Sequence, residues 1–422
     1  MATKDRTTSK PLRVISLFTG AGGLDLGLEA AGFETAVAVE LDADSAATLR
    51  ANRAWTVLER DIHKIPSKEL LEVAGLQEGD ADLLVGGPPC QPFSKSGYWA
   101  TGDARRLEDP RASTIEAYLR VLLDTKPRAF LLENVGGLAY RNKDEGLDLI
   151  RRSIERINRA AGTSYSFCCT VLDAARYGVP QERERLFIVG QREGAEFAFP
   201  SPTHAFAESG QCQPPLSGVR VLEPYRTAWD AIGDLEDDDN SDLAMTGKWA
   251  GLLPSIPEGQ NYLYHTERGK GLPLFGWRRR YWSFLLKLSK RLPSWTITAQ
   301  PGSAIGPFHW KSRRLSLREL CRLQTFPDAY QVCGTRSSYQ KQIGNAVPSA
   351  LAELLGLEIR RMMGDHVRRK ELQLVPKQRL PVPAAERVRR VPERFRHLAG
   401  NHEAHPGTGR GYAAVLRADA AR

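Results

Sequence analysis

Residues 86–91 read Gly-Gly-Pro-Pro-Cys-Gln and close the apolar run Asp82-Leu83-Leu84-Val85. Glycine permits a sharp turn and close approach of a ligand to the backbone. The prolines fix φ and keep the residue before them extended. The segment predicts a stiff loop presenting Cys90 at the carboxyl edge of a strand, where open α/β sheets place their sites. A thiol that needed only burial would not need such a mount. The rest of the chain supplies a matching sheet. Val14 to Phe18, Ala36 to Val39, Ala129 to Leu132 and Leu186 to Val189 are apolar runs of strand length. Leu24 to Ala31 reads as a helix stopped by Gly32, and Ile150, Ile154 and Ile157 lie at helical spacing before Gly162. Strands alternating with helices predict an α/β fold with a doubly wound, mostly parallel sheet.

A second glycine loop lies between the first strand and the first helix, at Phe18-Thr19-Gly20-Ala21-Gly22-Gly23. In that position a ligand can approach the backbone and the helix N-terminus. The spacing is not the G-x-G-x-x-G of dinucleotide enzymes, because Leu24 and Asp25 follow Gly23. That disfavours a nicotinamide-dependent oxidoreductase, which would also leave the Pro-Pro-Cys unexplained. Glu40, at the end of the second strand, is placed to accept hydrogen bonds from ribose hydroxyls. Asp61, followed by Ile62, could bind an adenine amino group and contact the ring.

The 422 residues suggest two domains plus tails, with 41% hydrophobic residues to form a core. No apolar run approaches the ~18 residues of a membrane span, and Met1 to Lys10 lacks the apolar stretch of a signal peptide. A cytoplasmic protein without a membrane partner is expected. The six cysteines show no C-x-x-C spacing, so neither a zinc site nor a disulfide framework is expected. The formal charge is +9, and residues 368–422 carry +8 of it, with thirteen Lys/Arg against five Asp/Glu. A polyanionic partner fits that balance. The expected organisation is a flexible leader over 1–11, a catalytic domain over 12–190 and 296–364, a less regular second domain over 191–295, and a basic, disordered tail over 365–422.

With both loops in view, the chain resembles the cytosine-5 DNA methyltransferases. The resemblance rests on Phe18 to Gly23, Glu40, Asp61, Pro88-Pro89-Cys90-Gln91 and Glu133-Asn134-Val135. It continues through Gln181-Glu182-Arg183-Glu184-Arg185, Arg314 to Glu319 and Gly344-Asn345-Ala346-Val347-Pro348, in family order. Arg60 departs from the glycine that the family often has before this acid. The resemblance implies S-adenosylmethionine as cofactor, held by Phe18, Gly20, Ala21, Gly22, Gly23, Glu40, Asp61, Ile62, Pro88 and Asn345. It implies Cys90 as nucleophile on a flipped cytosine, Glu133 as proton donor to the ring, and Arg183 and Arg185 as groups that orient the base. Gln91 to Ala112, polar and glycine-rich, read as a mobile loop over that base, with Gln91, Ser94 and Arg111 at positions that act there in the family. Residues 191–295 fall where the family keeps its target-recognition domain. Double-stranded DNA, monomeric action and a partner restriction endonuclease are the corresponding expectations. A tRNA cytosine methyltransferase and a catalytically inactive DNA-binding relative are the alternatives.

Overall fold

The computed structural model describes residues 11–89, 113–136, 145–206, 221–235, 241–277, 280–367 and 371–400. The amino-terminal part alternates strand and helix: β1 (Leu12–Leu17), α1 (Gly23–Ala30), β2 (Phe33–Glu40), α2 (Ala43–Asn52), β3 (Thr56–Glu59), α3 (Ser67–Ala74), β4 (Leu83–Gly86), α4 (Ser113–Thr125) and β5 (Ala129–Asn134). It continues with α5 (Glu145–Ala161), β6 (Ser166–Asp173) and β7 (Glu184–Gln191). The seven strands form one sheet in the order β3-β2-β1-β4-β5-β7-β6. All pairings are parallel except those of β7, which runs antiparallel to β5 and β6. The order reverses at β1, which pairs with both β2 and β4. That is the point where such a sheet opens a crevice at its carboxyl edge.

Both faces of the sheet are covered, which is why its central strands read as continuous apolar runs. In β1, Val14 packs into one core with Leu28 and Leu355, while Ile15 and Leu17 pack into the other with Leu122 and Leu132. The sequence signal was weakest at the sheet's margins. β3 is short and only partly buried, and β6 has several part-exposed or exposed residues.

After β7 regular structure thins out. A two-stranded pair, β8 (His204–Ala205) with β9 (Glu223–Pro224), is followed by α6 (Ala228–Ile232) and several single helical turns. Within this stretch Leu252, Tyr262, Phe275, Phe284 and Leu285 gather into a core apart from those of the sheet. That core also takes Phe308, so the division expected at 295/296 does not follow the packing. Helical structure returns in α7 (Leu317–Leu323), α8 (Arg336–Asn345) and α9 (Ser349–Met362). Ser316 and Glu319 form a reciprocal capping box at the start of α7.

One expectation needs correction. Residues 371–400 do not form a disordered tail but an ordered arm that ends in the short helix α10 (Glu393–Arg396). The arm meets three cores in turn. Leu372 and Leu374 lie on the sheet's outer core, Leu380 and Val382 on the core around Trp229 and Trp310, and Phe395 and Leu398 in the second region's core. Acidic side chains hold its backbone: Glu353 accepts from Gln373 and Leu374, Asp230 from Leu380, and Glu258 from Glu386. Anchors this widely spaced leave no periodicity in the sequence. Residues 1–10 and 401–422 lie outside the described residues.

Candidate active site

The carboxyl ends of β1, β2, β4 and β5 surround a cavity of about 960 Å³. Phe18, Gly20, Ala21, Gly23, Glu40, Asp61, Ile62, Pro88, Glu133, Arg185 and Asn345 all line it. The predicted cofactor and catalytic positions are therefore brought together, although Phe18 and Asn345 are more than 300 residues apart. Gly22 lies just behind the wall, where a Cβ would meet Leu49 at 2.9 Å and the Tyr330 hydroxyl at 3.1 Å. Cys90, Gln91, Ser94 and Arg111 lie outside the described residues.

Each wall has a local cause. Phe18 leaves β1 at φ 53°, a left-handed conformation that costs a non-glycine residue about 1–3 kcal/mol. At Gly23 an added Cβ would come within 2.4 Å of the Val347 carbonyl oxygen, so only glycine lets α1 meet the segment that begins α9. Glu40 holds the loop from the other side. Its Oε2 accepts from the Gly20 backbone N–H at 2.7 Å, and its Oε1 from that of Asp42 at 2.8 Å. Burial raises its pKa against those hydrogen bonds. Asp61 uses Oδ1 to accept from the His63 backbone and to pair with His63 Nδ1 at 2.8 Å, which lowers its pKa.

Glu133 ends β5. Its Oε1 lies 3.0 Å from Arg185 Nε, which enters from β7. Burial pushes the carboxyl up, opposed by the charges of Arg185 and Arg183. A Cβ on Gly87 would stand 2.8 Å from Glu133 Oε2, so the turn before Pro88 runs directly against this carboxylate. Arg183 is buried differently. It donates to the Ile297 carbonyl at 3.3 Å and the Gly344 carbonyl at 2.8 Å, tying β7 to the later segments.

Several contributors lie outside the predicted set. Asn134 donates to the Pro88 carbonyl at 3.2 Å and fixes the loop two residues before Cys90. Its place between Glu133 and Val135 was the only signal. Gln181 is fully buried and accepts from the Ile297 N–H at 3.0 Å. Lys341 pairs with Asp42 at 2.7 Å, and both also line a second cavity of about 960 Å³ beside Arg314 and Arg336. Beneath the glycine loop Asp25 is fully buried and accepts from the Ser16 and Thr35 hydroxyls, each at 3.0 Å. His265 is buried between the Ser255 hydroxyl and the Leu272 carbonyl.

The family model for C-5 cytosine-specific DNA methylases matches residues 12–361, the span that holds every wall of this cavity. The chain belongs to that family. A type II methyltransferase of Streptomyces achromogenes, M.SacI, is 41% identical to this methylase over 376 residues, covering 84% of this chain and 94% of its relative. M.NgoFVII of Neisseria gonorrhoeae is 33% identical over 348 residues, covering 81% and 84%. Among solved structures, a DNMT2 variant of Spodoptera frugiperda superposes with a TM-score of 0.54 at 14% identity, covering 84% of this chain and 99% of that one. The Entamoeba histolytica methyltransferase EhMeth gives 0.54 at 15%, with the same coverage. These likenesses bear out the methyltransferase fold expected from the sequence. The arm at 371–400 begins beyond the family model. No helix among the described residues is long and apolar enough to cross a membrane.

Proposed function

We propose that the protein methylates carbon 5 of a cytosine flipped out of a specific duplex DNA sequence, with S-adenosylmethionine as methyl donor. The observation that carries this reading is the convergence of Glu133 and Arg185, 3.0 Å apart, with Phe18, Glu40, Asp61 and Pro88 in one cavity. The cavity suits the donor. It offers an aromatic ring at Phe18, a buried acid at Glu40 bound to the glycine loop, and an acid and an apolar side chain at Asp61 and Ile62. Bound there, the donor supplies an electrophilic methyl group on a sulfonium sulfur.

The chain's residues act on the base. The Cys90 thiolate adds to carbon 6, and the electron pair of the 5,6 double bond moves into the ring. Glu133, its pKa raised by burial, donates a proton to nitrogen 3 as that charge develops. Arg185 holds the Glu133 carboxyl and faces the base oxygen, and Arg183 braces β7 behind it. After transfer, the carbon-5 proton leaves to water and elimination of the Cys90 thiolate restores the double bond, while nitrogen 3 returns its proton to Glu133. Asn134 keeps the Gly87-Pro88 turn against Glu133 throughout. Flipping the base costs a few kcal/mol, and Gln91, Ser94 and Arg111 would close over it. Residues 191–295 would read the sequence.

The relatives named above are type II methyltransferases. We accordingly assign this protein to modification in a restriction-modification system, acting in the cytoplasm on DNA that a partner endonuclease would cut. The test is transfer of labelled methyl from S-adenosylmethionine to duplex DNA, with bisulfite mapping of the product. Methylation of one short cytosine-containing motif is expected. Methylation of tRNA and not of duplex DNA would overturn the reading.

A further inference from the structure

A third cavity, of about 1060 Å³, lies on the second region, away from the catalytic wall. Its charged lining is Lys287, Lys311, Arg313, Arg387 and Arg389, against one acid, Glu386. That acid is already committed, at 2.8 Å, to Lys290. Arg313 is matched by Glu319 in a two-pronged pair at 2.8 and 2.7 Å. Lys287 has no such match. Its side chain is buried, yet its ammonium makes one hydrogen bond among the described residues, to the Ile256 carbonyl at 2.9 Å. An ammonium carries three donors, so the cavity floor offers donors to a ligand. Arg387 and Arg389 stand exposed on the rim, and the Arg389 backbone is fixed by its N–H to the Pro254 carbonyl at 2.9 Å.

The positive field here is felt by a neighbour. Buried His309 is pushed down to about 2, by burial first and then by Arg313, Lys311, Lys290 and Lys287. The cavity neighbours the second one along the chain: Arg313 lines the third cavity and Arg314 the second, which in turn shares Asp42 and Lys341 with the catalytic one. The ordered arm completes the site by bringing in Arg387 and Arg389.

We propose that this cavity is a phosphate-binding site for the DNA backbone flanking the methylated sequence, built jointly by the second region and the arm. The proposal rests on the reading of the protein as a duplex DNA methyltransferase. The ligand is a phosphodiester anion, and the exposed guanidiniums are the groups that meet it. Such contacts add affinity without adding sequence information.

The experiment uses the full chain and its R387A/R389A and R387K/R389K variants. DNA affinity is measured against salt concentration, on a duplex that ends just beyond the methylated motif and on a longer one. On the longer duplex, R387A/R389A should lower the slope of log affinity against log salt by about two, the value for two lost phosphate contacts. On the short duplex it should change nothing, and R387K/R389K should keep most of the wild-type slope. Methyl transfer at saturating DNA should be unchanged in all three proteins. An unchanged slope on the longer duplex, or an equal loss on both lengths, would overturn the flanking site while leaving the methyltransferase reading intact. Absence of methyl transfer by the wild type would instead strike that reading itself.

Discussion

The two halves of the molecule each bury a charged cluster, and the clusters differ in how their valences are filled. Under the sheet's edge, one carboxyl, Glu133, faces two guanidiniums. It keeps an oxygen beside Gly87, at the wall of a cavity large enough for ligands. In the second region, one ammonium, Lys290, has three partners: Glu386 at 2.8 Å, the Ala384 carbonyl at 3.1 Å and Glu258 at 3.3 Å. Trp229 and Trp310 stand over it, at 5.9 and 5.8 Å. Three partners satisfy three donors. The second cluster is a closed clasp that ties the arm to the body. The first has capacity left over, and it points at the place where chemistry would occur.

That contrast can be broken most completely at Cys90. Cys90→Ala should abolish turnover while cofactor and DNA binding persist, and residual methylation within about tenfold of wild type would remove Cys90 as nucleophile. Next comes the clasp. Lys290→Met strands Glu258 and Glu386, and losing one partner of a buried pair costs about 3–5 kcal/mol. The melting temperature should fall sharply, and adding Glu258→Gln should recover part of it. A melting curve like the wild type's would show that the clasp holds nothing. Glu133→Gln should do the reverse, cutting the rate about 10²-fold while cofactor affinity stays near wild type. An unchanged rate would make the two clusters alike.

The smallest effect concerns Asp25, whose carboxyl burial pushes up from 3.8 to about 6, against hydrogen bonds from Ser16 and Thr35. Its folded pKa lies above its unfolded one, so the folded state prefers the protonated form. The resulting stability is fully present below pH 3.8 and lost as pH rises through about 6. The difference in denaturant midpoint between wild type and Asp25→Asn should therefore shift against the wild type across that window. A constant difference from acid to neutral pH would refute the assignment.

The catalytic half was the more legible because its residues obey local rules. Strands covered on both faces are apolar throughout, and loops at their carboxyl ends carry the glycines, prolines and acids that ligands need. β3 and α8 were missed because neither carries a strong apolar pattern. α8 has only Gln342, Ile343 and Gly344 buried, and its start depends on the Thr335 cap. Asn134 and Gln181 act through backbone carbonyls and N–H groups of distant segments, which no spacing announces. The arm was misread for a related reason. Its composition is that of a solvated tail, and its order comes from single side chains, Leu374, Leu380, Phe395 and Leu398, dropped into cores built by other parts of the chain.

Phe395 and Leu398 have a consequence in time. They complete a core whose other members include Leu252, Phe284 and Phe308. At translation rates of about 5–20 residues per second, the arm follows Phe284 by roughly five to twenty seconds. The sheet can form on the ribosome as its strands emerge, but the core around Phe284 must wait for the arm. The cavity at the sheet's carboxyl edge needs Asn345 and Val347 and so closes before Phe395 and Leu398 arrive, which leaves the second region's core as the last part of the molecule to be finished.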